Sequence, residues 1–221
     1  IDQSSCNKDY SCAKGFCPSF VTVLDGDLRK PKAAAQSQQV FDPLPEPPLR
    51  ELEQPWNIVV AGVGGTGVLT ITALIAMAAH IEGKGCATMN QTGLAQKFGA
   101  VVSHVRVAKQ QDDILAVRIP AGEADLLLGC DLVVTTTYEA LGKVAHKRTN
   151  AVVNDHEVPT ASFIQDPDAK FPTDAMKRRI SEEVGEDTCH FLDATRIATA
   201  LLGDSIAANL FLLGVAWQQG L

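Results

Sequence analysis

Trp56-Asn57-Ile58-Val59-Val60-Ala61-Gly62-Val63-Gly64-Gly65-Thr66-Gly67-Val68-Leu69, continued by an apolar run to Ala79, decides how the rest of the chain is read. A short β-branched segment comes first, as a buried parallel strand requires. Gly62, Gly64 and Gly67 then fit G-x-G-x-x-G, with Gly65 and Thr66 between them, and the residues that follow repeat at helical spacing. Strand, tight turn and helix in that order form a phosphate-cradling unit. Gly62 is expected to turn the chain off the strand, Gly64 to let ligand and backbone approach, and Gly67 to let helix and sheet pack closely. The N–H groups of the helix's first turn, Thr66 among them, would make a positive concavity for phosphate or carboxylate.

A dinucleotide site usually carries Asp or Glu about 20 residues further on, at the end of the second strand. That strand is expected at Cys86–Met89, which puts Asn90 at its end, while Glu82 falls in the preceding turn Glu82-Gly83-Lys84-Gly85. An NAD- or FAD-dependent reductase therefore rests on the glycine motif alone. A tight βα corner that binds nothing explains the glycines equally well.

With 221 residues, 46% of them hydrophobic, the chain can bury one good core plus an appendage. Its net charge of −7 gives no support to nucleic-acid binding. No apolar run approaches the roughly 20 residues that span a membrane, and no charged n-region with an apolar core opens the chain. It begins Ile1-Asp2-Gln3 and stops just after an apolar helix, which reads as a piece of something longer. Of the six cysteines, three fall within the first 17 residues, and Cys86, Cys130 and Cys189 are scattered. A secreted disulfide framework would distribute them differently, so a reducing, cytoplasmic setting is expected. The scattered three read as small core hydrophobes.

Cys6, Cys12 and Cys17-Pro18 are the second organising feature. Three thiols among Gly and polar residues favour a metal site over a packed element. Zinc would want a fourth Cys or His at short spacing, and the next histidine is His80. The Cys-Pro ending is similar to the bacterial iron–sulfur run, but the intervals of five and four residues are longer than that run's.

Together these residues reach a family. Ser4 to Cys12, Gly15 to Val21, Gly62 to Val68, Thr92 to Lys97 and Val101 to Arg106 resemble the large fused indolepyruvate ferredoxin oxidoreductases. The resemblance covers nearly the whole chain. It implies the end of a ferredoxin-like segment at 1–23, a Pro-rich linker at 24–55 and a Rossmann-like gamma domain at 56–221. In such an enzyme thiamine diphosphate with magnesium decarboxylates a 2-oxo acid, [4Fe–4S] clusters carry electrons to ferredoxin, and CoA takes the acyl group. The resemblance makes Cys6, Cys12 and Cys17 cluster ligands, with the remaining ligands upstream. It implies a homo-oligomer whose other domains carry the thiamine centre. Phe98 departs from the pattern, since relatives often have Gly there.

Lys97, Thr92 and Gln96 are expected near the carboxyl edge of the second strand, where open α/β sheets bind ligands. Lys97 could meet a phosphate as a point charge. Val101–Val107 and 114–119 read as a hairpin at one edge of the sheet, with His104 a structural histidine. Beyond it the sequence predicts a helix over 121–129, a strand over 131–135, a helix over 138–146 and a strand over 150–153. Residues 159–168 read as irregular or a short strand. A helix follows over 173–184 with Lys177, Arg178 and Arg179 on a solvated face, then a strand over 190–192 and helices over 195–202 and 206–218. The fold class is therefore α/β: a Rossmann-like, doubly wound, mainly parallel sheet behind a small iron–sulfur segment and an extended linker.

No Gly-Asp-Gly followed by a distant Asn pair is present, and Asp25-Gly26-Asp27 lies in the linker. This stretch alone is not expected to be catalytic. The rival reading is a docking module with a structural zinc. Metal analysis of the anaerobically prepared full-length protein separates the two: iron with sulfide is expected, and zinc without iron favours the rival. Cys12→Ser should lower the iron content, and an unchanged content would refute the ligand assignment.

Overall fold

The computed structural model describes residues 24–26, 43–93, 98–160, 166 and 168–221. Cys6, Cys12, Cys17 and Lys97 lie outside the described residues, as does most of the expected irregular stretch 159–168.

Six strands form one sheet in the order β2-β3-β1-β4-β5-β6. They are β1 (Trp56–Val63), β2 (Gly85–Thr92), β3 (Ala100–Ala108), β4 (Leu126–Gly129), β5 (Asn150–Asn154) and β6 (Cys189–Leu192). β1, β4, β5 and β6 are parallel neighbours, and β3 is antiparallel to both β1 and β2. Every strand but β3 thus points the same way, which gives a mixed sheet with a parallel majority.

Alternation along β1 sends Ile58 and Val60 to one face and Val59 and Ala61 to the other, and all four are buried. Such a strand must be covered on both sides. Helices α1 (Val68–Ile81), α5 (Ala194–Leu202) and α6 (Ala208–Gln218) supply the first face through Ile71, Ala198 and Leu212. Helices α2 (Leu132–Thr135), α3 (Tyr138–Leu141) and α4 (Thr173–Val184) supply the second through Leu132, Leu141 and Ile180. In the segment before β1, Pro45 accepts a hydrogen bond from Gln218 at 2.7 Å, and Arg50 lies 4.8 Å from the Trp56 ring centre.

Three expectations fail. Val101–Val107 does belong to a strand, but its partners are β1 and β2, not 114–119, which holds no strand. β3 therefore lies inside the sheet and β2 forms the edge. The helix expected over 121–129 is a turn leading into β4, whose Leu126, Leu127 and Leu128 are wholly buried between the two helical layers. The strand expected over 131–135 is the short helix α2: the Asp131 carboxylate accepts from the Val134 N–H at 2.8 Å and caps it. That local bond outweighs the β propensity of the Val-Val-Thr run. The helix of 138–146 shortens to α3, while α4 matches its expected limits and the later elements differ by a few residues.

His104 sits in β3 with no exposed surface. Its Nδ1 accepts the Ile119 N–H at 3.2 Å, which leaves the ring proton on Nε2, and Nε2 meets no partner among the described residues. Burial first, then the cations Lys143 and Arg118, lower its pKa from 6.5 to about 4. The unfolded chain therefore takes up a proton that the folded chain refuses between those two values. Stability should fall as pH drops from about 6.5 to about 4, by at most about 1.4 kcal/mol per pH unit from this group. Urea unfolding across that window should show a shallower decline for His104→Gln than for the wild type, and equal slopes would refute the assignment.

Candidate functional site

The loop between β1 and α1 opens a cleft of about 550 Å³ at the carboxyl edge of the sheet. One wall is the glycine loop and first turn of α1, and the other is formed by Thr92 and Gly93 after β2 and by 98–101 entering β3. The volume lies inside the range of roughly 300–1,000 Å³ typical of small-molecule sites. No charged side chain lines it among the described residues.

The glycines divide their work differently from expectation. Gly62 is still within β1, and a Cβ there would lie 2.7 Å from Val68 Cγ2 and 2.8 Å from Cys130 Cβ. Its task is close packing of strand, helix and the end of β4. The turn is made by Gly65 at φ 88° and Gly67 at φ 96°, left-handed values that side chains resist. Gly64 does admit a close approach, but of protein: its N–H donates to the Gly99 carbonyl at 2.7 Å, and a Cβ would stand 3.3 Å from that oxygen. A Cβ on Gly65 would meet nothing within 4 Å, so the mouth of the cradle is open there.

Thr66 closes the loop on itself. Its amide and its hydroxyl both donate to the Val63 carbonyl, at 3.3 and 2.7 Å. The amides left without an acceptor among the described residues are those of Gly65, Gly67, Val68, Leu69 and Thr70. Gly67 caps α1 without any side-chain hydrogen bond and the first turn holds no acidic residue, so neither offsets the positive end of this 14-residue helix. The arrangement suits an anion.

Sequence reasoning missed Asn209. This buried side chain on α6 donates from Nδ2 to the Thr66 carbonyl at 2.8 Å and ties the loop to the far end of the chain. A buried Asn within the apolar run of α6 was the available signal.

The dinucleotide reading loses ground on geometry. β2 continues to Thr92, so Asn90 is inside the strand and a hydroxyl, not a carboxylate, stands at its end. β3 also separates β1 from β2, which moves the end of β2 one further strand, about 4.8 Å, from the glycine loop.

The scattered cysteines are all free thiols. Burial pushes Cys130 up to about 12, with the Asp131 carboxylate adding to it, and burial also raises Cys86 and Cys189. Among the described residues no group of three or more His, Cys, Asp or Glu could hold a metal, and no helix is long and apolar enough to cross a membrane. Of the candidate site residues, the structure brings Gly64, Gly65 and Gly67 to one cleft, with Gly62 packed behind it and Thr66 closing the loop.

Residues 57–221 match the family of pyruvate ferredoxin/flavodoxin oxidoreductases. The chain belongs to this family. It is therefore part of an oxidoreductase of the 2-oxoacid:ferredoxin type. The indolepyruvate oxidoreductase subunit IorB of Thermococcus kodakarensis is 31% identical over 166 residues, 74% of this chain and 77% of its own. IorB of Archaeoglobus fulgidus is 34% identical over 130 residues, 59% of this chain and 58% of its own. The fold is similar to the 2-oxoglutarate:ferredoxin oxidoreductase of Magnetococcus marinus, solved with 2-oxoglutarate, coenzyme A and succinyl-CoA bound. That match has a TM-score of 0.52 at 17% identity, over 74% of this chain and 24% of that one. It is similar also to the pyruvate oxidoreductase subunit PORC of Thermotoga maritima, with a TM-score of 0.50 at 16% identity, over 74% and 76% of the two chains.

Within this family member the Asn209 tether makes a direct prediction. Asn209→Ala should cost about 1–2 kcal/mol in urea unfolding, since the Thr66 carbonyl loses its donor. Asn209→Asp should cost more, because an acceptor then faces an acceptor. Wild-type stability in both variants would show the tether to be idle.

Proposed function

We propose that this chain is the gamma part of an arylpyruvate:ferredoxin oxidoreductase, acting on substrates such as indolepyruvate, and that its glycine-loop cleft receives CoA. The observation that carries the reading is the open cradle of unpaired amides at the start of α1, in a chain whose relatives are indolepyruvate oxidoreductase subunits. Residues 56–221 are the gamma domain, 24–55 the linker, and 1–23 the end of a ferredoxin-like segment. Cys6, Cys12 and Cys17 hold [4Fe–4S] clusters together with upstream ligands. Soft thiolates suit that role because burial and hydrogen bonds to sulfur set a cluster's potential. Thiamine diphosphate, held with magnesium by other domains, supplies the electron sink that lets a 2-oxo acid lose carbon dioxide. Electrons leave to ferredoxin, the assembly is a homo-oligomer, and it works in the cytoplasm.

Within the cleft, the amides of Gly65, Gly67, Val68 and Leu69 offer donors to a diphosphate, and the helix dipole offers partial positive charge. Gly62, Gly64 and Thr66 keep the loop in shape, and Lys97 supplies the point charge that the cradle itself lacks. The chain's own part is thus to bind and orient the acyl acceptor, with the chemistry elsewhere in the enzyme.

Thr70 tests this cleanly. It is exposed, lines the cleft and sits in the first turn of α1, where an acidic residue favours the helix. Thr70→Glu should leave the fold intact while its carboxylate repels the CoA diphosphate. In the assembled enzyme the KM for CoA should rise about tenfold or more, the equivalent of about 1.4 kcal/mol, with the KM for the oxo acid unchanged. An unchanged CoA KM would mean that the loop serves packing alone.

A further inference from the structure

Phe98 combines a left-handed backbone with an exposed aromatic side chain at the wall of the cleft. Its backbone sits at φ 56°, in the left-handed region that bulky side chains avoid. Its side chain is in neither hydrophobic core, and the residue is 66% exposed. A glycine would take this conformation without strain and would leave no phenyl ring in water. The residue that follows it is tied across the cleft. Gly99, the next residue, accepts the Gly64 N–H at 2.7 Å, so Phe98 is tied to the glycine loop across the cleft it lines. Strain with no packing gain among the described residues points to a function outside the fold.

The cleft has two chemical characters. Toward the first turn of α1 it presents unpaired amides, and across from them it presents Phe98, with exposed Leu69 beside the amides. A ligand that matches both carries an anionic diphosphate next to a flat, polarisable ring. CoA has that pairing in its adenosine diphosphate end. We propose that the Phe98 ring stacks on the adenine of CoA and selects acceptors that carry a purine. The inference rests on the reading of the glycine loop as the CoA cradle and adds the residue that recognises the base.

Stacking of a base on an aromatic side chain corresponds to about 5- to 150-fold in affinity. The test uses the assembled holoenzyme with two acyl acceptors: CoA, and 4′-phosphopantetheine, which keeps the thiol and lacks the adenosine. Phe98→Ala should raise the KM for CoA by a factor in that range and leave the KM for phosphopantetheine unchanged. Phe98→Tyr should behave as the wild type. Phe98→Gly should lose CoA affinity like Phe98→Ala while melting no lower than the wild type, which separates binding from unfolding. Equal KM values for CoA in wild type and Phe98→Ala would overturn the proposal, as would equal increases for both acceptors. Loss of subunit assembly in Phe98→Ala, with no acceptor-dependent change, would assign the ring to a protein contact and overturn it too. Failure of the cradle reading looks different: Thr70→Glu then leaves the CoA KM unmoved, whatever Phe98 does.

Discussion

The missing side chain at Gly62 is the constraint on which the corner of this fold depends. A single methyl there would sit 2.7 Å from a Val68 methyl and 2.8 Å from the Cys130 side chain, distances no packed carbons share. β1, the start of α1 and the end of β4 therefore meet at one backbone position. That contact fixes where α1 begins, and so where its unpaired amides lie. Two further ties hold the loop: Asn209 of α6 donates to the Thr66 carbonyl, and the Gly99 carbonyl accepts from Gly64. The cradle is consequently held by residues distant in sequence.

Strand β3 decides what the cradle can reach. By running antiparallel between β1 and β2, it displaces the end of β2 by one strand spacing from the glycine loop. A dinucleotide fold relies on those two strands being adjacent, so that the base-side ribose meets the second strand end. Here the space beside the loop is closed instead by the entry to β3. The same motif thus serves a different geometry, and the cleft opens between the helix start and the β2–β3 connection.

The strand–loop–helix unit was legible because its periodicity changes abruptly, from β-branched residues to helical spacing, with glycines at the break. Helix α4 was legible for the same reason: its apolar positions keep a clear period, and Ile180 and Val184 are the buried ones. The stretch from 121 to 135 was misread because Leu-Leu-Leu and Val-Val-Thr carry no period of their own. Burial on both sides made the leucines a strand, and a carboxylate cap at Asp131 made the valines a helix. The glycine roles were also hidden. Which glycine packs and which one turns depends on Cys130, Gly99 and Asn209, partners that sequence spacing does not reveal.

Among the described residues, no charged side chain lines the cleft. The clearest ionic network, Arg148 with Asp125 and Glu123, joined to Asn57 through Asp125, stands at the amino ends of β1 and β4, the edge opposite the glycine loop. At the carboxyl edge the described residues that line the cleft are glycines, apolar residues and hydroxyls, and the positive character they give it comes from amides and a helix dipole. Such a terminus contributes about 0.3–1 kcal/mol toward an exposed anion and up to about 2 kcal/mol when partly buried. That is too little to hold a multiply charged coenzyme firmly, but enough to orient one that other groups retain. If the acceptor is CoA, as proposed, weak and oriented holding suits it, because a tight ground-state complex would lower the KM without speeding turnover. On the proposed CoA reading, a cradle whose described lining is mostly backbone, with Phe98 as its exposed aromatic, fits the positioning of a substrate that arrives and leaves in every cycle.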